Sequence, residues 1–131
     1  TDVNAGGTVS GNTTNNSTSS GFSFFDVNAG GTFSGNTATN NGFDAQGNFL
    51  NSVNGFDFLT NSGTFTGNTA NGNSNNGYGR VGDSNFQQDA GTFSGNTANN
   101  NGDMGYRGDN NGGTVTNNTG SGNTNGGNTF P

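Results

Sequence analysis

Apolar residues punctuate this polar chain in a repeating arrangement. The stretch GTFSGNT stands at 31–37 and again at 91–97, with near-copies GTVSGNT at 7–13, GTFTGNT at 63–69 and GTVTNNT at 113–119. Aligned on the central apolar position, they put Val9, Phe33, Phe65, Phe93 and Val115 in one column, at intervals of 24, 32, 28 and 22 residues. Each interval suits one coil of a solenoid. Thr precedes and Ser or Thr follows each apolar residue, the period-two alternation of a strand with one buried face. The pattern predicts the apolar side chain inward and a face of hydroxyls outward: Thr8 and Ser10, Thr32 and Ser34, Thr64 and Thr66, Thr92 and Ser94, Thr114 and Thr116. Gly or Asn, then Asn, follow at once, where the chain must bend and where these residues tolerate positive φ.

A second strand is predicted before the first. Phe25, Phe58 and Phe86 lie seven or eight residues ahead of Phe33, Phe65 and Phe93, so each middle coil carries at least two inward aromatics, and the first and last coils lack this Phe. The connectors, beginning TATNNG, TANGNS and TANNNG, read as loops of variable length, with Phe43, Phe49, Leu50, Val53 and Val81 offering a weaker third strand. Variable connectors suit loops projecting from a solenoid's corners. The expected fold is all-β without helices: a parallel β-solenoid, a cross-β-like stack of about five irregular coils. One repeat array fills 1–131, in coils of approximately 1–20, 21–54, 55–84, 85–106 and 107–131.

Stacking gives the recurring polar residues a task. Coils about 4.8 Å apart place Asn12, Asn36, Asn68, Asn96 and Asn118 where their amides form a ladder at the turn, and the Thr residues form a hydroxyl column outside. Along one strand, Thr-x-Ser/Thr hydroxyls stand about 6.7 Å apart.

Composition removes most other functions. The chain has no Cys, His, Trp, Lys, Glu or Ile, so general bases, thiolate nucleophiles and soft metal ligands are nearly absent, and no enzyme is expected. Eight Asp against Arg80 and Arg107 leave a net charge of −6, which offers phosphate no basic surface and disfavours nucleic acid as a partner. No apolar run is long enough to span a bilayer. Twelve Phe with six Val and two Leu are few large apolar residues for a lone domain. Ladders or neighbouring chains must therefore supply cooperativity, the alternative being disorder. The opening Thr1 suggests a processed or excised segment, and the Lys-free Asn/Thr/Gly composition an extracellular or cell-surface setting.

The unit [FV]-[ST]-[GN]-N-T, as in Phe33-Ser34-Gly35-Asn36, with Phe25-Asp26-Val27-Asn28 and Phe58-Leu59-Thr60-Asn61, resembles the FxxN repeats of polymorphic outer-membrane-protein passengers and related bacterial surface β-helices. The resemblance covers all five coils. It implies a parallel β-helix exposed outside the cell and carries over no catalytic residue. The Thr-x-Ser/Thr rows also resemble the Thr-x-Thr faces of insect antifreeze solenoids.

Both terminal coils keep the repeat, and neither Lys nor an internal Pro blunts their strand edges. The expectation is a structural, self-assembling homopolymer: an extracellular fibre, functional-amyloid-like or a β-solenoid filament of the kind found in biofilms, that stacks end to end. The alternatives are an ice-binding solenoid that uses the hydroxyl face and a fragment of a surface adhesin passenger. Lesser signals have plainer explanations. Arg107-Gly108-Asp109 matches the integrin-recognition tripeptide in a Gly-rich stretch where chance suffices. Glycosylation patterns at Asn12, Asn15, Asn16 and Asn117 arise freely in an Asn/Thr-rich chain. Asp2 and Asp26 align, with Asp89 and Asp109 near that column, which suggests Ca²⁺ at a corner, although solvated loop acids explain them as well. No cofactor is expected.

Overall fold

The computed structural model describes residues 2–51, 53–80 and 86–127. Within them the chain is built from very short strands: β1 (Thr8–Ser10), β2 (Thr13–Asn15), β3 (Phe22–Ser23), β4 (Asp26–Val27), β5 (Thr32–Ser34), β6 (Thr37–Thr39), β7 (Phe56–Asp57), β8 (Thr60–Asn61) and β9 (Thr64–Thr66). They continue with β10 (Thr69–Asn71), β11 (Tyr78–Gly79), β12 (Phe86–Gln88), β13 (Thr92–Ser94), β14 (Thr97–Asn99), β15 (Gly108–Asn110), β16 (Thr114–Thr116) and β17 (Thr119–Ser121). Every strand pairing is parallel and joins successive coils, so the expected all-β parallel stack is the fold.

Four sheets run along the stack. The first, β1-β5-β9-β13-β16, holds the Thr-Phe-Ser strands; the second, β2-β6-β10-β14-β17, follows it around a two-residue corner; the third is β3-β7-β11; the fourth is β4-β8-β12-β15. Register in the first sheet sets Val9 against Phe33, Phe33 against Phe65, Phe65 against Phe93 and Phe93 against Val115. The corner after it turns on Gly11, Gly35, Gly67 and Gly95, with φ of 65, 61, 63 and 61°, and on Asn117 with φ 57°. Asn tolerates this left-handed conformation better than other side chains, which is why it can replace Gly in the fifth coil.

The interior is a set of aromatic columns whose spacing follows the rise between coils. Phe33, Phe65 and Phe93 stack at 4.9 and 5.0 Å, and Phe22, Phe56, Tyr78 and Tyr106 at 5.1, 4.9 and 5.0 Å with rings within 6° of parallel. The two columns meet edge to face, as in Phe56 against Phe65 at 86°, the orientation ring quadrupoles favour. Ala38, Ala70 and Ala98, all fully buried, line the narrow side beneath the second sheet.

Three sequence expectations are corrected here. Phe25 is not part of the core: it is 63% exposed, and Phe24 turns inward to stack on Phe58 at 5.5 Å. The register pairs Asp26 with Thr60, yet the next first-sheet strand starts six residues after Asp26 and only four after Thr60. Counting back from Phe33 therefore selects the wrong Phe of the pair. The segments after each GNT corner are not loops, since Thr37–Thr39, Thr69–Asn71 and Thr97–Asn99 are the strands of the second sheet. Finally, the third strand does not come from Phe43, Phe49, Leu50 and Val53. Phe43 and Phe49 face each other across an antiparallel bridge in a side loop, with Phe49 65% exposed. Phe22, Phe56 and Tyr78 make the third sheet instead, while Val81 lies outside the described residues.

Of the remaining expected core positions, Phe58 and Phe86 are buried and 4.4 Å apart, whereas Val9 and Val115 are only partly buried.

Candidate functional site: laddered rungs and open edges

The chemistry of this molecule lies in columns of side chains, each repeated coil by coil. At the corner between the first and second sheets, the side-chain oxygen of Asn36 accepts the backbone N–H and the Nδ2 amide of Asn12, both at 3.0 Å. Asn68 does the same for Asn36 at 2.9 and 3.1 Å, Asn96 for Asn68 at 2.9 and 3.1 Å, and Asn118 for Asn96 at 2.9 and 3.0 Å. Each Nδ2 from Asn36 onward also donates back to a carbonyl of the preceding coil: Val9, Phe33, Phe65 and Phe93 in turn. Asn36, Asn68 and Asn96 are completely buried, and these bonds satisfy polar groups that would otherwise be costly there.

A second ladder, which repeat-reading overlooked, runs down the far end of the second sheet. Ser17 donates its N–H to Asn41 at 3.0 Å, Asn41 to Asn73 at 3.1 Å, Asn73 to Asn101 at 3.1 Å and Asn101 to Asn123 at 3.0 Å. Its signal was present in the sequence, as an Asn five residues after each ladder Asn from Asn36 onward, with Ser in the first coil. Both ladders have one direction, each coil donating to the next. A third column has the opposite sense: Asn54 donates its N–H to Ser20, Asn76 to Asn54, and Met104 to Asn76.

The tyrosines are buried polar struts. Tyr78 Oη lies 2.6 Å from the Asn68 carbonyl and 3.0 Å from that of Thr97, and Tyr106 Oη bonds Asn96 and Thr119 in the same manner. Burial pushes both phenols above their ordinary pKa, with Tyr106 adding to the shift at Tyr78.

Outside, the rows Thr8/Ser10, Thr32/Ser34, Thr64/Thr66, Thr92/Ser94 and Thr114/Thr116 stand in register on one face. Thr13, Thr37, Thr69, Thr97 and Thr119 form a further column on the adjoining face. In the fourth sheet the register places Asp2, Asp26, Thr60, Gln87 and Asp109 in one column, so Asp26 is separated from Asp109 by two uncharged residues and bonds the Thr60 hydroxyl instead. Among the described residues, no three acidic side chains converge to hold a metal ion, and no helix is long and apolar enough to cross a membrane. Arg107 pairs with Asp103 at 3.4 Å and Gly108 is buried at the start of β15, so Arg107-Gly108-Asp109 does not sit on a projecting loop. Of the sequon residues, Asn12 has its amide engaged in the ladder, while Asn15, Asn16 and Asn117 are exposed.

The two terminal rungs differ from those between. Phe33, Phe65 and Phe93 are at most 2% exposed, whereas Val9 and Val115, which replace them at the ends, remain partly open. Among the described residues, β1 and β2 pair on one side only, as do β16 and β17. Comparison with known proteins finds no matching family description, no similar curated protein and no similar solved structure.

Proposed function

We propose that this chain is a structural subunit of an extracellular fibre that assembles by stacking its coils end to end. The observation that carries this reading is the contrast between rungs. Every inner rung is closed above and below by a hydrogen-bonded first-sheet strand and a laddered Asn, while the first and last rungs carry Val in place of Phe and have one side open. A second copy on either edge would extend the first-sheet strands and the first amide ladder by contacts of the kind that already hold the stack together. Open parallel edges that, among the described residues, carry no Lys, Pro or covering helix are templates for such addition. Electron microscopy of the concentrated protein tests the reading: filaments with a layer repeat of about 4.8 Å support it, and discrete monomers at every concentration overturn it.

A specific observation favours one other reading, ice binding: ten outward hydroxyl residues in register on one face, with a Thr column on the next. Thermal hysteresis in a monomeric preparation, abolished by Thr64→Lys, would select it over assembly.

A further inference from the structure

We propose that stacking is directional: the Val115 rung of one copy seats on the Val9 rung of the next, head to tail, so that growth has a polarity. This rests on the assembly reading above and adds which surface meets which.

The first amide ladder carries the argument. All four of its links point the same way, with N–H and Nδ2 on the earlier coil and Oδ1 on the later one. Such a ladder ends with different groups at its two ends, an acceptor at Asn12 Oδ1 and a donor at the Asn118 N–H. Head-to-tail contact supplies the missing link. Head-to-head contact brings acceptor against acceptor, and tail-to-tail contact donor against donor. Each backbone edge presents both N–H and C=O groups, in the register that a following copy would meet. Thr32, Thr64, Thr92 and Thr114 each donate N–H to the Gly before the preceding coil's strand, Gly7, Gly31, Gly63 and Gly91. The Thr8 N–H, the first of this series, therefore points off the first edge, and the Gly113 carbonyl, next in the series of acceptors, off the last. A contact that joins unlike patches of two copies gives an open filament where, as in this stacking, each copy is set further along one axis instead of around a closed ring.

Two features make the junction weaker than an inner rung. The second ladder changes there, because Ser17 stands where every inner rung has an Asn whose side-chain oxygen accepts the N–H of the preceding coil. In the fourth-sheet column, the junction sets Asp109 of one copy beside Asp2 of the next, adding a third carboxylate to the neighbouring Asp2 and Asp26.

One-ended variants test direction. Thr8→Pro with Thr13→Pro removes N–H groups that point off the first edge, and Val115→Pro with Gly120→Pro does so at the last. By the alternation of a parallel ladder, none of these groups has a partner among the described residues. Circular dichroism checks that each keeps the wild-type β spectrum, and Gly120→Pro alone replaces the second pair if packing at Val115 fails. By sedimentation velocity, each variant alone should be monomeric, and an equimolar mixture should shift to twice the monomer mass and no further. Dimers of either variant alone, or a mixture that stays monomeric while wild type forms filaments, would overturn directionality. A wild type that never assembles would instead overturn the assembly reading itself.

Discussion

The side-chain oxygen of Asn96 accepts two hydrogen bonds from Asn68, one from its backbone and one from its amide, at 2.9 and 3.1 Å. Asn68 in turn serves Asn36 above it and returns an Nδ2 bond to the Phe33 carbonyl. One amide thus connects three coils. Asn68→Ala strips partners from several buried groups at once, each worth about 1–3 kcal/mol when left unsatisfied. Denaturant unfolding should show a loss of about 3 kcal/mol or more for Asn68→Ala, but a much smaller one for Asn12→Ala, whose site is exposed and links to one coil only.

Phe24 and Phe25 should separate cleanly. Phe25→Ser should leave thermal stability nearly unchanged because the ring is solvent-facing, and Phe24→Ser should lower it because the ring stacks on Phe33 and Phe58. Phe65→Ala, at the centre of the column, should cost about 3–5 kcal/mol. Equal effects at Phe24 and Phe25 would contradict the register.

The glycines that end the turns before the first sheet are set by contact between coils. A Cβ on Gly91 would lie 2.2 Å from the Gly63 carbonyl oxygen, which is backbone and cannot swing away. Gly91→Ala should therefore prevent or severely impair folding. Gly35→Asn, at a corner with φ 61° and open space around it, should be tolerated within about 1 kcal/mol, as the natural Asn117 indicates.

Alkali should unfold the protein through its tyrosines. Burial raises the Tyr78 and Tyr106 phenols in the folded state, so the stability of the neutral, buried rings is complete below about pH 10, where unfolded tyrosine titrates, and is lost as pH rises above it. Chemical denaturation should give a midpoint that falls above that pH. The Tyr78→Phe/Tyr106→Phe variant should start less stable at neutral pH, having lost the bonds to Asn68 and Asn96, but show a flatter alkaline profile.

If copies join head to tail, the Asp109–Asp2 contact makes assembly salt-dependent. Screening of these like charges should lower the concentration at which filaments appear as ionic strength rises, and Asp2→Asn should reproduce the effect at low salt. Light scattering against salt reads both, and an unchanged threshold in Asp2→Asn would argue against that contact.

By itself the sequence determined the repeat, the inward apolar column, the Asn and Thr columns and the parallel stack. These are legible because identical residues recur at a constant offset from one Phe, and in a stack a constant offset means the same place on each coil. Tertiary structure decided what depends on the path between those offsets. The Thr-Ala-x strands alternate as Thr-Phe-Ser does but bury only one small residue, too little apolar signal to betray them; they are strands because the coil before and after supplies their hydrogen bonds. Phe24 rather than Phe25 is inside because the turn after Asp26 is longer than the one after Thr60. Tyr78 and Tyr106, lone aromatics in Gly- and Asn-rich connectors, belong with Phe22 and Phe56 because only the folded rise between coils brings rings so far apart in sequence to within about 5 Å.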